Sequence, residues 1–176
     1  LFFAGYPMSL QTCLLGGNIA ENAGGGKAVK YGVTGRYVQG LTLVTPTGQV
    51  VRLGGKLRKD VSGYDLMRLV VGSEGTLGIV TEVTLGLVAY PKARSDLLVL
   101  YRTPSEAMAS VPAILAAGLE PTSIEFMDRL SFTTSCRSLN ESLPYEGAGA
   151  MLLIELDGRD LDKVEAALIA AGELCQ

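Results

Sequence analysis

The chain has 176 residues, 48% hydrophobic and 19% charged, which suits one large or two small domains with a buried core and excludes a disordered chain. A net charge of −3 argues against a nucleic-acid protein, which normally carries a basic surplus. No apolar run reaches the roughly 18 residues of a membrane span, and the opening residues show no basic-then-apolar signal pattern.

Seventeen of the 22 glycines fall in residues 1–90, and a domain boundary is placed near Tyr90-Pro91. In the first half, Val38 to Thr45 predicts a strand by β-branched content and partial alternation. Pro46 to Gln49 predicts a turn and Val50 to Leu53 the return of a hairpin. Tyr64 to Val71 predicts a short helix with Leu66, Leu69 and Val70 on one side. Ile79 to Leu87 predicts a half-buried strand with Ile79, Val83, Leu85 and Leu87 on one face and Thr81 intruding. In the second half, Leu97 to Tyr101, Ser123 to Met127 and Met151 to Leu156 predict strands. Ser105 to Ala117 predicts a helix with Pro104 in its first turn and Gly118 at its end, split or kinked at Pro112. Asp128 to Arg137 predicts a second helix, and Leu161 to Ala171 a third, ended by Gly172. The order predicts an antiparallel sheet backed by helices, ferredoxin-like but short of a last strand.

Three segments carry chemistry. Gly72 to Val80 (GSEGTLGIV) spaces three glycines at intervals of three between a helix and a strand. Such a loop can aim backbone amides into one concavity and favours an anion such as a phosphate. It is not the dinucleotide fingerprint, which runs strand–loop–helix, and its spacing alone equally suits a tight connector. Gly16 to Gly26 (GGNIAENAGGG) is rich in small residues, with Asn18, Glu21 and Asn22 interspersed. A flat ligand approaching closely would explain the small residues and use the amides at its polar edge; a close-packed turn explains them too. Lys56 to Asp65 sets five charges and Tyr64 where a ligand phosphate could be reached, but charge runs are usually solvated loops. Histidine is absent, which excludes imidazole catalysis and imidazole metal ligation within this chain. Cys13, Cys136 and Cys175 are far apart and odd in number; they form no zinc pattern and suggest a reduced, intracellular setting.

Taken in order, these segments resemble the FAD-linked oxidases, the family of glycolate oxidase flavoprotein subunits and of D-lactate and D-2-hydroxyglutarate dehydrogenases, which share the vanillyl-alcohol-oxidase type of FAD domain. The likeness runs from about Pro7 to Val88 and, more weakly, through Glu125 to Leu130 (EFMDRL). It implies an α+β fold. Residues 1–90 would be the C-terminal part of the FAD-binding domain, and residues 91–176 the N-terminal part of an antiparallel, ferredoxin-like cap domain that takes the substrate. It implies FAD contacts from Met8, Ser9, Leu10, Gln11, Thr12, Cys13 and Leu14, then from Gly17, Asn18, Glu21, Asn22, Ala23 and Gly24. It further implies that the backbone of Glu74, Gly75, Thr76, Leu77, Gly78, Ile79 and Val80 reaches the diphosphate and adenosine side. Cys13 is read as not covalently tethered to flavin.

Family members oxidise a 2-hydroxy acid such as glycolate or D-lactate, passing hydride to the flavin while a base takes the hydroxyl proton. No base is assigned; Asp128 and Arg129 are candidates that equally suit a helix start. No metal site is expected, and the implied partners are the small 2-hydroxy acid, other oxidase subunits including an iron–sulfur subunit, and a second copy of the chain. Relatives carry a further upstream diphosphate loop and downstream histidines that this chain does not match, so it is expected to be a piece of a longer flavoenzyme. The alternatives are a non-catalytic FAD-domain fragment or interaction subunit, or an FAD oxidoreductase acting on another alcohol or sugar. The expected location is the cytoplasm, with peripheral membrane attachment through partner subunits.

Overall fold

The computed structural model describes residues 1–57, 59–143 and 146–176, which form two compact units, Leu1–Tyr90 and Pro91–Gln176. The first unit runs α1 (Leu15–Glu21), α2 (Ala28–Tyr31), a 3-10 turn (Thr34–Arg36), β1 (Val38–Val44), β2 (Val50–Gly54), α3 (Leu66–Val70) and β3 (Ile79–Leu85). Its sheet is antiparallel in the order β2-β1-β3. The β1–β2 hairpin turns at Gly48, whose φ of +81° a side chain would strain. Ile19 of α1, Val70 of α3 and Val71 just after it bury against Val38, Leu41 and Leu43, so both helices cover one face of the sheet. An antiparallel bridge between Phe2 and Val88 ties the two ends of the unit.

Two bulges govern which side chains enter this core. The β1–β3 register shifts between Val38 and Gly40, which puts Val38 on the same buried side as Leu41 despite the odd spacing. It shifts again where Thr42 pairs Glu82 but Leu43 pairs Val80, leaving Thr81 as the extra residue. Val80 and Val83 therefore both pack on the core, while Ile79 is 70% exposed and Leu87 stands outside the strand and exposed. This corrects the simple alternation expected over Ile79 to Leu87, because a bulge resets the period of two. Helix α3 is shorter than its apolar pattern suggested. Asp65 caps it by accepting from the Arg68 amide at 3.0 Å, and only Val70 of its predicted apolar side is buried. Leu66 and Leu69 are exposed.

The second unit alternates β4 (Ala93–Tyr101), α4 (Pro104–Ala116), β5 (Ser123–Asp128), α5 (Arg129–Leu139), β6 (Ala150–Gly158) and α6 (Leu161–Leu174). Strand β6 lies antiparallel between β4 and β5, giving the order β4-β6-β5. Ala150, Leu152 and Ile154 of β6 bury with Tyr101, Ala107 and Ile114 on one face; Phe132 of α5 buries against Met151 on the other. Thr103 and Glu106 form a full capping box around Pro104, the first residue of α4. Helix α4 runs unbroken through Pro112, so the proline does not split it. Pro112 and Met108 both face solvent, so the Met108 carbonyl that loses its amide partner is open to water. Helix α6 likewise continues past Gly172, whose φ is not in the left-handed region.

Candidate functional site

The glycine-rich segments of the first unit meet. Gly16 and Gly17 lie in α1, a helix that the small-residue composition had concealed, and both face open space. The carbonyl end of α1 is held by the other segment: the amide of Gly72 donates to Ile19 at 3.0 Å and that of Glu74 to Ala20 at 2.8 Å. Gly72 takes φ +86°. The loop then reverses at Glu74 and Gly75, both left-handed at φ 53° and 78°, and closes with the Thr76 amide on the Ser73 carbonyl at 3.0 Å. The amides of Gly75 and Leu77 have no partner among the described residues. Gly78 is needed for a different reason, since a Cβ there would stand 2.5 Å from the Val44 carbonyl.

The strip from Met8 to Leu14 joins this region through Gly25, where a Cβ would meet the Met8 nitrogen at 2.8 Å. The strip is a chain of turns, with the Thr12 and Cys13 amides both on the Ser9 carbonyl at 2.9 Å. Met8, Leu10 and Leu14 are exposed, as are Ser9, Gln11 and Thr12. Cys13 is tied locally, donating to the Leu10 carbonyl and accepting from Asn18 Nδ2 at 3.5 Å. Asn18 is therefore buried and spends its donor inside the protein. Glu21 is exposed, and Gly24 leaves room for Val33, whose Cγ1 a Cβ would approach to 2.7 Å. Ala23 accepts from Thr34, whose hydroxyl lies 2.8 Å from the carbonyls of both Gly5 and Ala23. Thr34 and Gly35 were not singled out by the sequence, and nothing in their spacing marks them out from loop residues.

The charged segment from Lys56 to Asp65 borders a different surface, and Arg58 lies outside the described residues. Asp60, Ser62, Tyr64 and Asp65 line a hollow of about 240 Å³ with Arg52. In the second unit, Asp128 caps α5 by accepting from the Ser131 amide at 2.8 Å. That bond holds its carboxyl below the ordinary aspartate value. The Tyr101 hydroxyl is buried near Cys175 and Ser110, with no partner at full hydrogen-bond geometry among the described residues, and burial, with Cys175 beside it, pushes the phenol up to about 12.

Two protein-family models match the chain: the FAD binding domain over residues 1–54 and the C-terminal domain of FAD linked oxidases over residues 90–176. The glycolate oxidase subunit GlcD of Bacillus subtilis (strain 168) is 46% identical over 172 residues, 94% of this chain and 36% of that protein. A D-lactate dehydrogenase of Anaerostipes hadrus is 40% identical, covering 91% of the chain and 35% of its own length. A D-2-hydroxyglutarate dehydrogenase of Xanthomonas citri pv. viticola is 43% identical over 124 residues, 69% of this chain and 26% of that protein. Among solved structures, an alkyldihydroxyacetonephosphate synthase aligns over 98% of this chain and 33% of its own, with a TM-score of 0.74 and 23% identity; that likeness is one of fold. The chain belongs to the FAD-linked oxidase family, whose cofactor is FAD. It spans about a third of the length of the curated relatives it matches.

The residues present fit that cofactor. Gly16, Gly17 and Gly75 each leave a face that no side chain fills, and exposed Met8, Leu10, Leu14, Leu77 and Ile79 supply apolar surface in the same segments. The free amides of Gly75 and Leu77 are donors of the kind a diphosphate takes.

Proposed function

We propose that the chain is the part of an FAD-dependent oxidoreductase that holds one side of the FAD and begins the substrate domain. In this reading Leu1–Tyr90 is the C-terminal part of the FAD-binding domain and Pro91–Gln176 the N-terminal part of the cap. The observation that carries it is the junction of α1 with the Gly72–Gly78 loop, where the amides of Gly75 and Leu77 have no partner among the described residues and Gly75 has open space at its Cβ position. The residues assigned to FAD are Met8 to Leu14, Gly17, Asn18, Glu21 to Gly24 and Glu74 to Val80. Within that set the Gly75 and Leu77 amides donate to the diphosphate, and the exposed carboxylates of Glu21 and Glu74 accept from ribose hydroxyls. Asn18 acts through Cys13 and Val80 through the core.

The substrate class is a 2-hydroxy acid such as glycolate or D-lactate, in line with the printed names of the relatives. When bound, FAD supplies the hydride acceptor for oxidation of the alcohol carbon. The chain's own residues orient the cofactor. The partners proposed are further oxidase subunits, an iron–sulfur subunit among them, and a second copy of the chain. The location proposed is cytoplasmic, with peripheral membrane association; among the described residues no helix is long and apolar enough to cross a membrane.

Anaerobic mixing of the FAD-loaded protein with D-lactate, glycolate, a primary alcohol and an aldose tests the substrate class. Bleaching of the flavin absorbance by the two hydroxy acids alone is expected. Bleaching by the alcohol or the sugar and not by either acid overturns it.

A further inference from the structure

Asn22 is placed by sequence in the cofactor strip, yet its side chain is already engaged. It caps α1 in the left-handed conformation (φ 51°, ψ 45°), and its backbone amide returns to Asn18 and Ile19. Its Oδ1 accepts from the Gly35 amide at 2.7 Å. Because Gly35 offers an N–H, the oxygen must be the carboxamide atom that faces it. The fit excludes other residues on both sides. A Cβ on Gly35 would lie 2.8 Å from Asn22 Oδ1, and a Cβ on Gly72 would lie 3.2 Å from Asn22 Cβ. Asn22 therefore sits where three segments cross: the end of α1, the Thr34–Arg36 turn and the start of the Gly72–Gly78 loop.

We infer that Asn22 is a positioning residue that sets the diphosphate loop against α1. Its acceptor bond to Gly35 fixes the left-handed cap. The cap fixes the direction of the Ile19 and Ala20 carbonyls, and those carbonyls hold the Gly72 and Glu74 amides. The register so fixed determines where the reversal at Glu74-Gly75 presents the Gly75 and Leu77 amides. The inference rests on the reading of that loop as the diphosphate site. It differs from direct contact in a way that can be measured, because the two roles use different atoms of one side chain. Positioning uses Oδ1, whereas contact would use Nδ2, which has no partner among the described residues.

The test compares Asn22→Gly and Asn22→Asp with the unsubstituted protein. Glycine tolerates the left-handed cap but removes the acceptor; aspartate keeps an acceptor and removes the donor. Amide hydrogen exchange is followed at Gly72 and Glu74, with Leu41 of β1 as the core reference, and binding is titrated with FAD and with FMN. FMN lacks the second phosphate and the adenosine, so a general loss of structure lowers both affinities while a displaced loop lowers only that for FAD. Asn22→Gly is expected to speed exchange at Gly72 and Glu74 by about tenfold relative to Leu41, and to lower the FAD-to-FMN affinity ratio by about tenfold. Asn22→Asp is expected to exchange as the unsubstituted protein does. Unchanged exchange in Asn22→Gly, or lost protection in Asn22→Asp, overturns the positioning role by itself. Faster exchange with an unchanged ratio, or no FAD binding by the unsubstituted protein, overturns the assignment of the loop and the inference with it.

Discussion

Glu74 holds φ 53°, a conformation that costs an ordinary L-residue about 1–2 kcal/mol and that glycine adopts freely. Its amide is fixed to Ala20 and the next residue is also left-handed, so the surroundings, not the side chain, determine the turn. Glu74→Gly is therefore expected to leave thermal stability unchanged or raised by up to about 1 kcal/mol in a melting experiment, as strain relief outweighs the entropy lost from the unfolded chain. The same variant is expected to bind FAD more weakly, because the carboxylate proposed for a ribose hydroxyl is gone. A destabilised variant would mean that the carboxylate supports the fold. At this scale the sequence showed the residue types but not their assignments. Gly72, Gly75 and Gly78 read as one motif, yet they serve three purposes: fit against Asn22, chain reversal and passage beside the Val44 carbonyl. Asn18 and Asn22 were legible as polar residues among small ones. That both direct a side-chain atom inward, to Cys13 and Gly35, depends on contacts 5 and 13 residues away that spacing does not encode.

The elements followed the sequence where a single local rule decides, and departed from it where two rules compete. Strand β1 and the hairpin after it, the start of α4 at Pro104 and the strand at β6 follow from strand-forming apolar runs, turn residues and a proline suited to a first helical turn. Helix α1 was hidden because glycines at 16 and 17 lower helix propensity, while burial of Ile19 and the bonds from the Gly72 loop stabilise the helix from outside. The alternation of β3 failed at Thr81, since a bulge is a property of the pairing and not of one strand. Gly172 looked like a helix end, but α6 runs on to Leu174, and a Cβ there would find only Leu97 Cδ2 at 3.7 Å, an ordinary contact. Gly172→Ala is thus expected to stabilise the second unit by about 0.5–1 kcal/mol, read as a higher denaturation midpoint. Loss of stability would show that the helix needs glycine where it passes β4.

The two units fall where the glycine content changes, and each has its own buried cluster. The first unit leaves Met8, Leu10, Leu14, Leu66, Leu69, Leu77 and Ile79 exposed, a large apolar share for a unit of its size. The chain covers about a third of the length of the relatives it matches. The order of motifs carried the family, because glycine loops that are ambiguous singly become specific in sequence. The substrate was not legible, because residue spacing alone places no side chain against a substrate. The central claim is that α1 and the Gly72–Gly78 loop together hold the diphosphate side of FAD. Its most direct test is an equilibrium titration of the protein with FAD and with FMN, followed by flavin fluorescence. The account predicts stoichiometric binding of FAD and affinity for FMN weaker by about tenfold or more. Equal affinity for the two flavins, or no binding of FAD, would contradict it.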